Sequence, residues 1–294
     1  MDKIKVNPII KKDLRVTSRS MKLAWELFAY VAILGIIFML IFSAFRSYAS
    51  YADNTELYQA YVVFFPVLAI TQLGIIALAI PVITASSISG ERERGTLDTL
   101  LTTTASLNSI VFGKMMSAVI RVMIFIIASI PLMAVSFMVG GLSWLVLLEF
   151  LVLSFVYAVL AGSIGVYCSS RCKKTITSVI TSFGIYFVIY ALSFVPMIVA
   201  AIMFSRSRGS ALEDALKATF SIQLINPVVN FVVFFLSRLT SEDFLEDIYD
   251  NIFLGSTNMW IILSVIAQLA LAVFFLRLAA KRIDPLNDRN VKKA

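Results

Sequence analysis

The sequence contains no histidine and little charge. Of its 294 residues, 60% are hydrophobic and only 15% are Asp, Glu, Lys or Arg. Without histidine, the chain cannot build histidine metal sites or use an imidazole as an acid–base catalyst. The two cysteines, Cys168 and Cys172, are too few to hold zinc by themselves, and we interpret them as reduced, unpaired thiols. We therefore expect this chain to bind no metal or cofactor.

Six apolar runs are long enough to cross a membrane. A helix needs about 20 residues to span a hydrocarbon core of about 30 Å. The runs cover residues 27–45, 61–88, 117–139, 144–167, 176–204 and 259–276. The sequence therefore predicts an all-α integral membrane protein with six transmembrane helices in a single domain, 1–294. Pro81 lies inside the second run, where the loss of a helical hydrogen bond predicts a kink.

The positive charges predict the orientation. Nineteen Lys and Arg residues flank the runs on one side, and five flank them on the other. Because cytoplasmic segments are enriched in Lys and Arg, this division places both termini in the cytoplasm. The net charge of +7 follows from this topology and does not indicate nucleic-acid binding. We expect a multi-pass protein of the cell (plasma) membrane.

One stretch would add a seventh span if it crossed the membrane. Residues 218–236 are nearly long enough, but Asn226, Pro227 and Asn230 interrupt them. A seventh span would place the basic C-terminal tail outside, against the charge pattern. We predict instead that residues 205–257 form an outer loop with short helices. These lie on the outer leaflet or dip into it where protein covers the broken backbone.

A charged stretch separates the second and third runs. Residues 89–106 read SGERERGTLDTLLTTTAS. Gly90 and Gly95 are predicted to allow a sharp turn where the chain leaves the membrane, and Thr96 can cap a new helix. Apolar residues then recur with helical spacing, at Leu97, Leu100 and Leu101. Residues 89–110 should thus hold a short amphipathic helix outside the bilayer, which either rests on lipid headgroups or docks a partner.

The N-terminal segment, residues 1–23, is a second amphipathic element. Asn7 is a suitable helix cap, and Pro8 suits the first helical position. Its apolar residues repeat every four positions, and its polar face is strongly basic. We expect this helix to lie in the membrane interface against anionic headgroups.

The charged stretch, together with IVFGK at 110–114, resembles the segment between the second and third spans of type 2 ABC transporter permeases. The basic N-terminal helix, the six spans and the broken outer segment are also similar, so the resemblance covers nearly the whole chain. Two positions depart from the family's usual pattern. Thr104 stands where proline is common, which predicts a softer exit from the short helix, and Asp13 stands where glutamate is common.

The resemblance implies an exporter-type membrane subunit. In that family the short helix is a coupling helix, which packs with the basic N-terminal helix against a nucleotide-binding subunit. By analogy, the residues that carry ATP-driven motion to the spans would be Glu91, Arg92, Glu93, Arg94, Thr96, Leu97, Leu100 and Leu101. The resemblance also implies a second permease subunit, identical or different, and leaves the substrate open.

The sequence contains no phosphate-binding loop of the form G-x-x-x-x-G-K-[ST]. ATP and magnesium are therefore expected in a separate cytosolic ABC ATPase subunit, and this chain is not expected to be an enzyme. Two alternatives stay open. Several carboxylates at the midplane of the membrane would favour a channel or secondary transporter. A polytopic membrane enzyme would need clustered catalytic groups.

Three charged residues lie in or at the edge of the apolar runs: Glu26, Arg121 and Glu149. Such residues are costly in lipid. Glu26 and Arg121 lie at similar depth near the predicted cytoplasmic face, so we predict that they pair or reach the interface. Glu149 lies near the outer end of the fourth run, too far from Arg121 to pair. It either lines a substrate path or forms a hydrogen bond between helices.

The predicted topology can be tested with introduced cysteines. In intact cells, cysteines at Asp53 and Asp247 should react with an impermeant thiol reagent because both positions lie outside. A cysteine at Asp288 should react only after the cells are permeabilised, and the parental chain supplies the background from Cys168 and Cys172. Labelling at Asp288 in intact cells would refute the topology.

Overall fold

The computed structural model describes residues 8–49, 64–97, 106–140, 143–204, 218–239 and 256–283. Within these ranges the chain is helical, and no strand is present. A short N-terminal helix, Pro8–Ser18, precedes the spanning helices. It buries Ile10 and exposes the neighbouring Lys11 and Lys12, as an amphipathic helix at an interface should.

Six helices coincide with the six predicted runs, which confirms an all-α membrane protein with six spans. Spans 1 to 6 are Met21–Ala49, Phe64–Glu93, Leu107–Gly140, Trp144–Arg171, Thr175–Tyr190 with its continuation Val195–Phe204, and Thr257–Ile283. The helices extend beyond the apolar runs because continuing the helix satisfies the backbone hydrogen bonds of the polar flanks. Pro81 lies inside span 2, and the kink expected there stays a prediction.

The bundle has two chemically different ends. The N-terminal helix contacts the start of span 3 and lies beside the end of span 2. We call this the basic end, and we call the other the opposite end. Which of them faces the cytoplasm stays a prediction.

Span 4 lies at the centre of the bundle and packs against spans 2, 3, 5 and 6. Small residues let helices in a membrane come close together. At Gly165 in span 4, a side-chain carbon would lie 1.8 Å from the hydroxyl oxygen of Thr84 in span 2, so the contact requires glycine. One turn further on, the Ser169 hydroxyl donates to the carbonyl oxygen of Ala85 at 2.6 Å and accepts from the backbone N–H of Ser89 at 2.9 Å. These contacts form a seam between spans 2 and 4 that leads to the basic end.

A bent pair of helices, which we call the hairpin, lies between spans 5 and 6. Its two helices, Ala218–Ile225 and Pro227–Arg238, are bent by 105° where they meet at Asn226. The predicted broken segment is therefore present, and its helices do not form a straight seventh span. Residues 205–217 and 240–255, the rest of the predicted outer loop, lie outside the described residues.

Side chains of the hairpin satisfy the broken backbone of span 5, and span 6 satisfies part of the hairpin's own backbone. Span 5 is interrupted by a turn of 3-10 helix at Leu192–Phe194. The Asn226 side-chain amide donates to the Tyr190 carbonyl oxygen at 3.2 Å and to the Ser193 hydroxyl at 2.9 Å. The Ser264 hydroxyl, seven residues into span 6, donates to a carbonyl oxygen of the first hairpin helix at 2.7 Å. These bonds allow irregular backbone to lie about 10 Å below the start of span 6.

The seam between spans 2 and 4 predicts that Gly165→Ala lowers the stability of the folded chain. The added carbon clashes with Thr84, and overpacking of this kind costs about 1–3 kcal/mol. Thr84→Gly should restore part of the loss. Thr84→Ser should not, because the Thr84 β-carbon would also lie only 2.6 Å from the new side chain.

Thermal unfolding of the purified protein in detergent measures this effect. Gly184→Ala is the matched control, since a side-chain carbon at Gly184 meets no atom within 4 Å. Equal stability of the Gly165 and Gly184 variants would contradict the close packing.

Candidate functional site

The charged stretch continues span 2 beyond its apolar run. Gly90 is helical, and the helix ends only at Glu93. The turn occurs at Gly95, whose φ of 69° lies in the left-handed region that favours glycine. There the N–H of Thr96 bonds to the Glu91 carbonyl oxygen at 2.9 Å, and the N–H of Gly95 bonds to the Arg92 carbonyl oxygen at 3.1 Å. The turn expected at Gly95 is therefore present. The prediction of a turn at Gly90 was wrong, because the helix continues beyond the end of the apolar run.

Glu91 joins span 2 to span 3 and to the N-terminal helix through a lysine. Lys114, near the start of span 3, lies 3.3 Å from a Glu91 carboxylate oxygen and 3.3 Å from an Asp13 carboxylate oxygen. The Lys114 side chain is only 9% exposed, so these two carboxylates compensate for its lost hydration. The Thr96 hydroxyl also donates to the Glu91 carboxylate.

Arg92 and Glu93 join span 2 to spans 4 and 5. Arg92 donates from Nη1 to the Cys172 carbonyl oxygen at 2.7 Å and from Nη2 to the Ser170 carbonyl oxygen at 3.2 Å. Glu93 accepts from the backbone N–H of Thr175 at 2.9 Å and from its hydroxyl at 2.8 Å. A cation thus meets the C-terminal end of span 4, and an anion meets the N-terminal end of span 5. Both placements complement the helix dipoles.

We call Glu91, Arg92, Glu93 and Lys114 the basic-end cluster. It connects the N-terminal helix with four spans, although sequence reasoning had assigned its carboxylates and arginine to a surface facing a partner. Lys114 was missed as a member. The feature of the sequence that could have identified Lys114 is its position as a lone lysine at the start of an apolar run, with acidic residues on two other elements available to pair with it.

The remaining predicted coupling residues have different surroundings. Arg94 is exposed, and Leu97 is helical and packs against the main hydrophobic core. Leu100 and Leu101 lie outside the described residues. A polar cavity of about 680 Å³ lies between the N-terminal helix and spans 2 and 3, next to the basic-end cluster. In the part of the chain that is described, no group of three or more acidic or cysteine side chains is placed to hold a metal ion.

The structure brings Glu26 and Arg121 together near the basic end. Arg121 donates from Nη2 to the Glu26 carboxylate, and Lys22 lies 4.0 Å from the same group. Spans 1 and 3 therefore share a charge pair, as the equal depth of the two residues had suggested.

Glu149 pairs with an arginine that sequence reasoning did not connect to it. Arg238, at the end of the hairpin, donates from Nε at 3.0 Å and from Nη2 at 2.8 Å to the two carboxylate oxygens of Glu149. Two parallel bonds of this kind are strong and directional. Arg238 Nη2 also lies 3.4 Å from the side-chain oxygen of Asn258 in span 6. Of the two expected roles for Glu149, this geometry favours hydrogen bonding between helices.

The fold and the cluster define a multi-pass membrane protein whose spans are joined by charges at one end. The sequence matches the family model described as ABC-2 family transporter protein over residues 7–281, and the chain belongs to this family. The protein is thus an ABC transporter permease of the ABC-2 type. Among curated proteins, no significant match to the chain is found.

The Glu26–Arg121 pair predicts a rescue by charge exchange. Glu26→Arg or Arg121→Glu alone removes the charged hydrogen bond and places like charges next to each other. We expect each single variant to lose about 1–3 kcal/mol of folding stability. The double exchange should restore the yield of folded protein, measured by size-exclusion chromatography of a fluorescent fusion.

The control combines Glu26→Arg with Arg15→Glu, which exchanges the same charges between Glu26 and an exposed arginine of the N-terminal helix with which it is not paired. If the matched exchange recovers no more protein than this mismatched one, the pair does not stabilise the fold.

Proposed function

We propose that the chain is the membrane-spanning permease subunit of an ATP-driven ABC exporter. Two permease subunits, identical or different, would span the cell membrane, and two cytosolic ABC ATPase subunits would bind ATP and magnesium. Family membership supports an assembly with an ATPase partner. The lack of a phosphate-binding loop in the sequence supports a separate ATPase chain. The excess of Lys and Arg at the basic end supports its placement in the cytoplasm.

The basic-end cluster is the observation that carries the proposal. A force on the segment after Gly95 reaches span 2 through a hydrogen-bonded helix end. From there it reaches span 3 and the N-terminal helix through Lys114, and spans 4 and 5 through Arg92 and Glu93. One contact with an ATPase would therefore displace several spans together, which is what coupling ATP hydrolysis to transport requires.

The surroundings of the cluster suit a protein partner better than a lipid surface. The polar cavity is lined by charges of both signs, including Lys12, Asp13, Glu93 and Arg94. Anionic headgroups attract Lys and Arg but repel carboxylates. A protein surface can present complementary charges to both, which improves the specificity of docking.

The proposal predicts that Leu100→Asp weakens binding of the ATPase subunit. A charge placed in an apolar contact costs about 1–3 kcal/mol or more when the contact excludes water. Membrane insertion should persist because the six spans are unchanged. Co-purification of the ATPase at matched permease expression, followed by ATP turnover, measures the effect. Leu286→Asp, in the C-terminal tail outside the motif, is the matched control.

Arg92→Met separates transmission from docking in the same experiment. This variant removes the donors to the end of span 4 and leaves the segment after Gly95 intact. It should retain the ATPase and lose the stimulation of ATP turnover by substrate. Equal ATPase recovery with Leu100→Asp and Leu286→Asp would contradict docking at this segment, and full stimulation with Arg92→Met would contradict transmission through the cluster.

A further inference from the structure

An apolar groove lies at the opposite end of the bundle, between spans 4 and 6 and the second hairpin helix. Its volume of about 790 Å³ is within the range of sites that bind small molecules. Most of the side chains of its wall are aliphatic or aromatic, and include Leu148, Val152, Phe234, Ile262, Val265 and Ile266. Several of them, such as Val152 and Ile262, are exposed on the outer surface of their helices, so the groove opens toward lipid.

The groove also contains the charge pair of Glu149 and Arg238, together with Asn258. Charged residues at membrane depth usually face the protein interior. Here the side chains of Arg238 and Glu149 remain 29% and 32% exposed on the surface of the bundle. Among the described residues, Glu149 and Asn258 bind Nε and Nη2 of Arg238, and none binds Nη1. Within the described residues, Nη1 of Arg238 is therefore left to donate to a polar group that enters from the membrane.

The dimensions of the groove suit one lipid chain. From Asn258 to Ile266 the wall follows eight residues of span 6, or about 12 Å of helix. One leaflet contributes about half of a 30 Å hydrocarbon core. The apolar wall thus extends over most of a leaflet, with the charges near its outer part.

We propose that this groove binds one zwitterionic phospholipid of the surrounding bilayer. The phosphate accepts hydrogen bonds from Arg238, the ammonium group lies against Glu149, and an acyl chain follows the apolar wall. The headgroup matches the pair in charge, because each carries one positive and one negative group. An anionic headgroup would meet Arg238 and be repelled by Glu149. This site does not depend on the proposed transport function.

Competition between two lipids tests the proposal. The purified chain in detergent micelles is mixed with equimolar phosphatidylethanolamine, which is zwitterionic, and phosphatidylglycerol, which is anionic. Native mass spectrometry then measures the bound lipid. The parental chain should bind phosphatidylethanolamine in preference to phosphatidylglycerol. Glu149→Gln should shift the preference toward phosphatidylglycerol by about tenfold, the effect of one charge-assisted hydrogen bond, because Arg238 is then left without its carboxylate.

A second pair of variants tests the apolar wall without touching the charges. Ile262→Trp fills the groove and should release the lipid. Ile127→Trp places the same side chain at a comparably exposed position on span 3 and should leave binding unchanged. Equal retention by these two variants, no preference in the parental chain, or an unchanged preference in Glu149→Gln would each overturn the proposal.

Discussion

The arrangement of charges at the basic end depends on how closely spans 2 and 4 approach each other. Lipid is as apolar as the helix surfaces, so packing and hydrogen bonds must hold these helices together. The missing side chain of Gly165 allows the approach, and the Ser169 hydroxyl then binds the backbone of span 2. Only a span 2 held in this position carries Arg92 to the end of span 4 and Glu93 to the start of span 5. Gly165, a small residue of the central span, therefore determines which charged residues meet at the basic end.

The fold could be predicted largely from the sequence, because length and apolarity almost determine a membrane helix. Backbone groups in lipid must bond within their own segment, so each long apolar run has one available structure. The same reasoning applied to the hairpin, where polar residues and Pro227 interrupted a run of nearly sufficient length. Depth along a span also predicted one contact of the site, since Glu26 and Arg121 lie at the same level on neighbouring helices.

Contacts between elements were harder to predict, because they depend on which helices are neighbours. Arg238 is one of the five basic residues counted on the side opposite to the termini. Its distance from Glu149 follows from the fold of the hairpin and not from any sequence spacing. The end of span 2 was placed too early because apolarity marks where lipid ends, whereas the helix continues to Glu93, just before the left-handed Gly95. The role of Lys114 was hidden for a related reason: its two carboxylates lie on separate helices.

Span 4 is held near both of its ends by guanidinium groups from other parts of the chain. Arg238 binds Glu149 near one end, and Arg92 binds the carbonyl oxygens of Ser170 and Cys172 at the other. The two attachments are separated by about 30 Å of helix. Hydrogen bonds tolerate only small changes in length, so a displacement of span 4 along its own axis by a turn would break both sets. A rotation of span 4 about its middle would shift each end sideways and break the same bonds, unless span 2 and the hairpin moved with it. The position of the central helix is therefore coupled to both elements that supply its arginines.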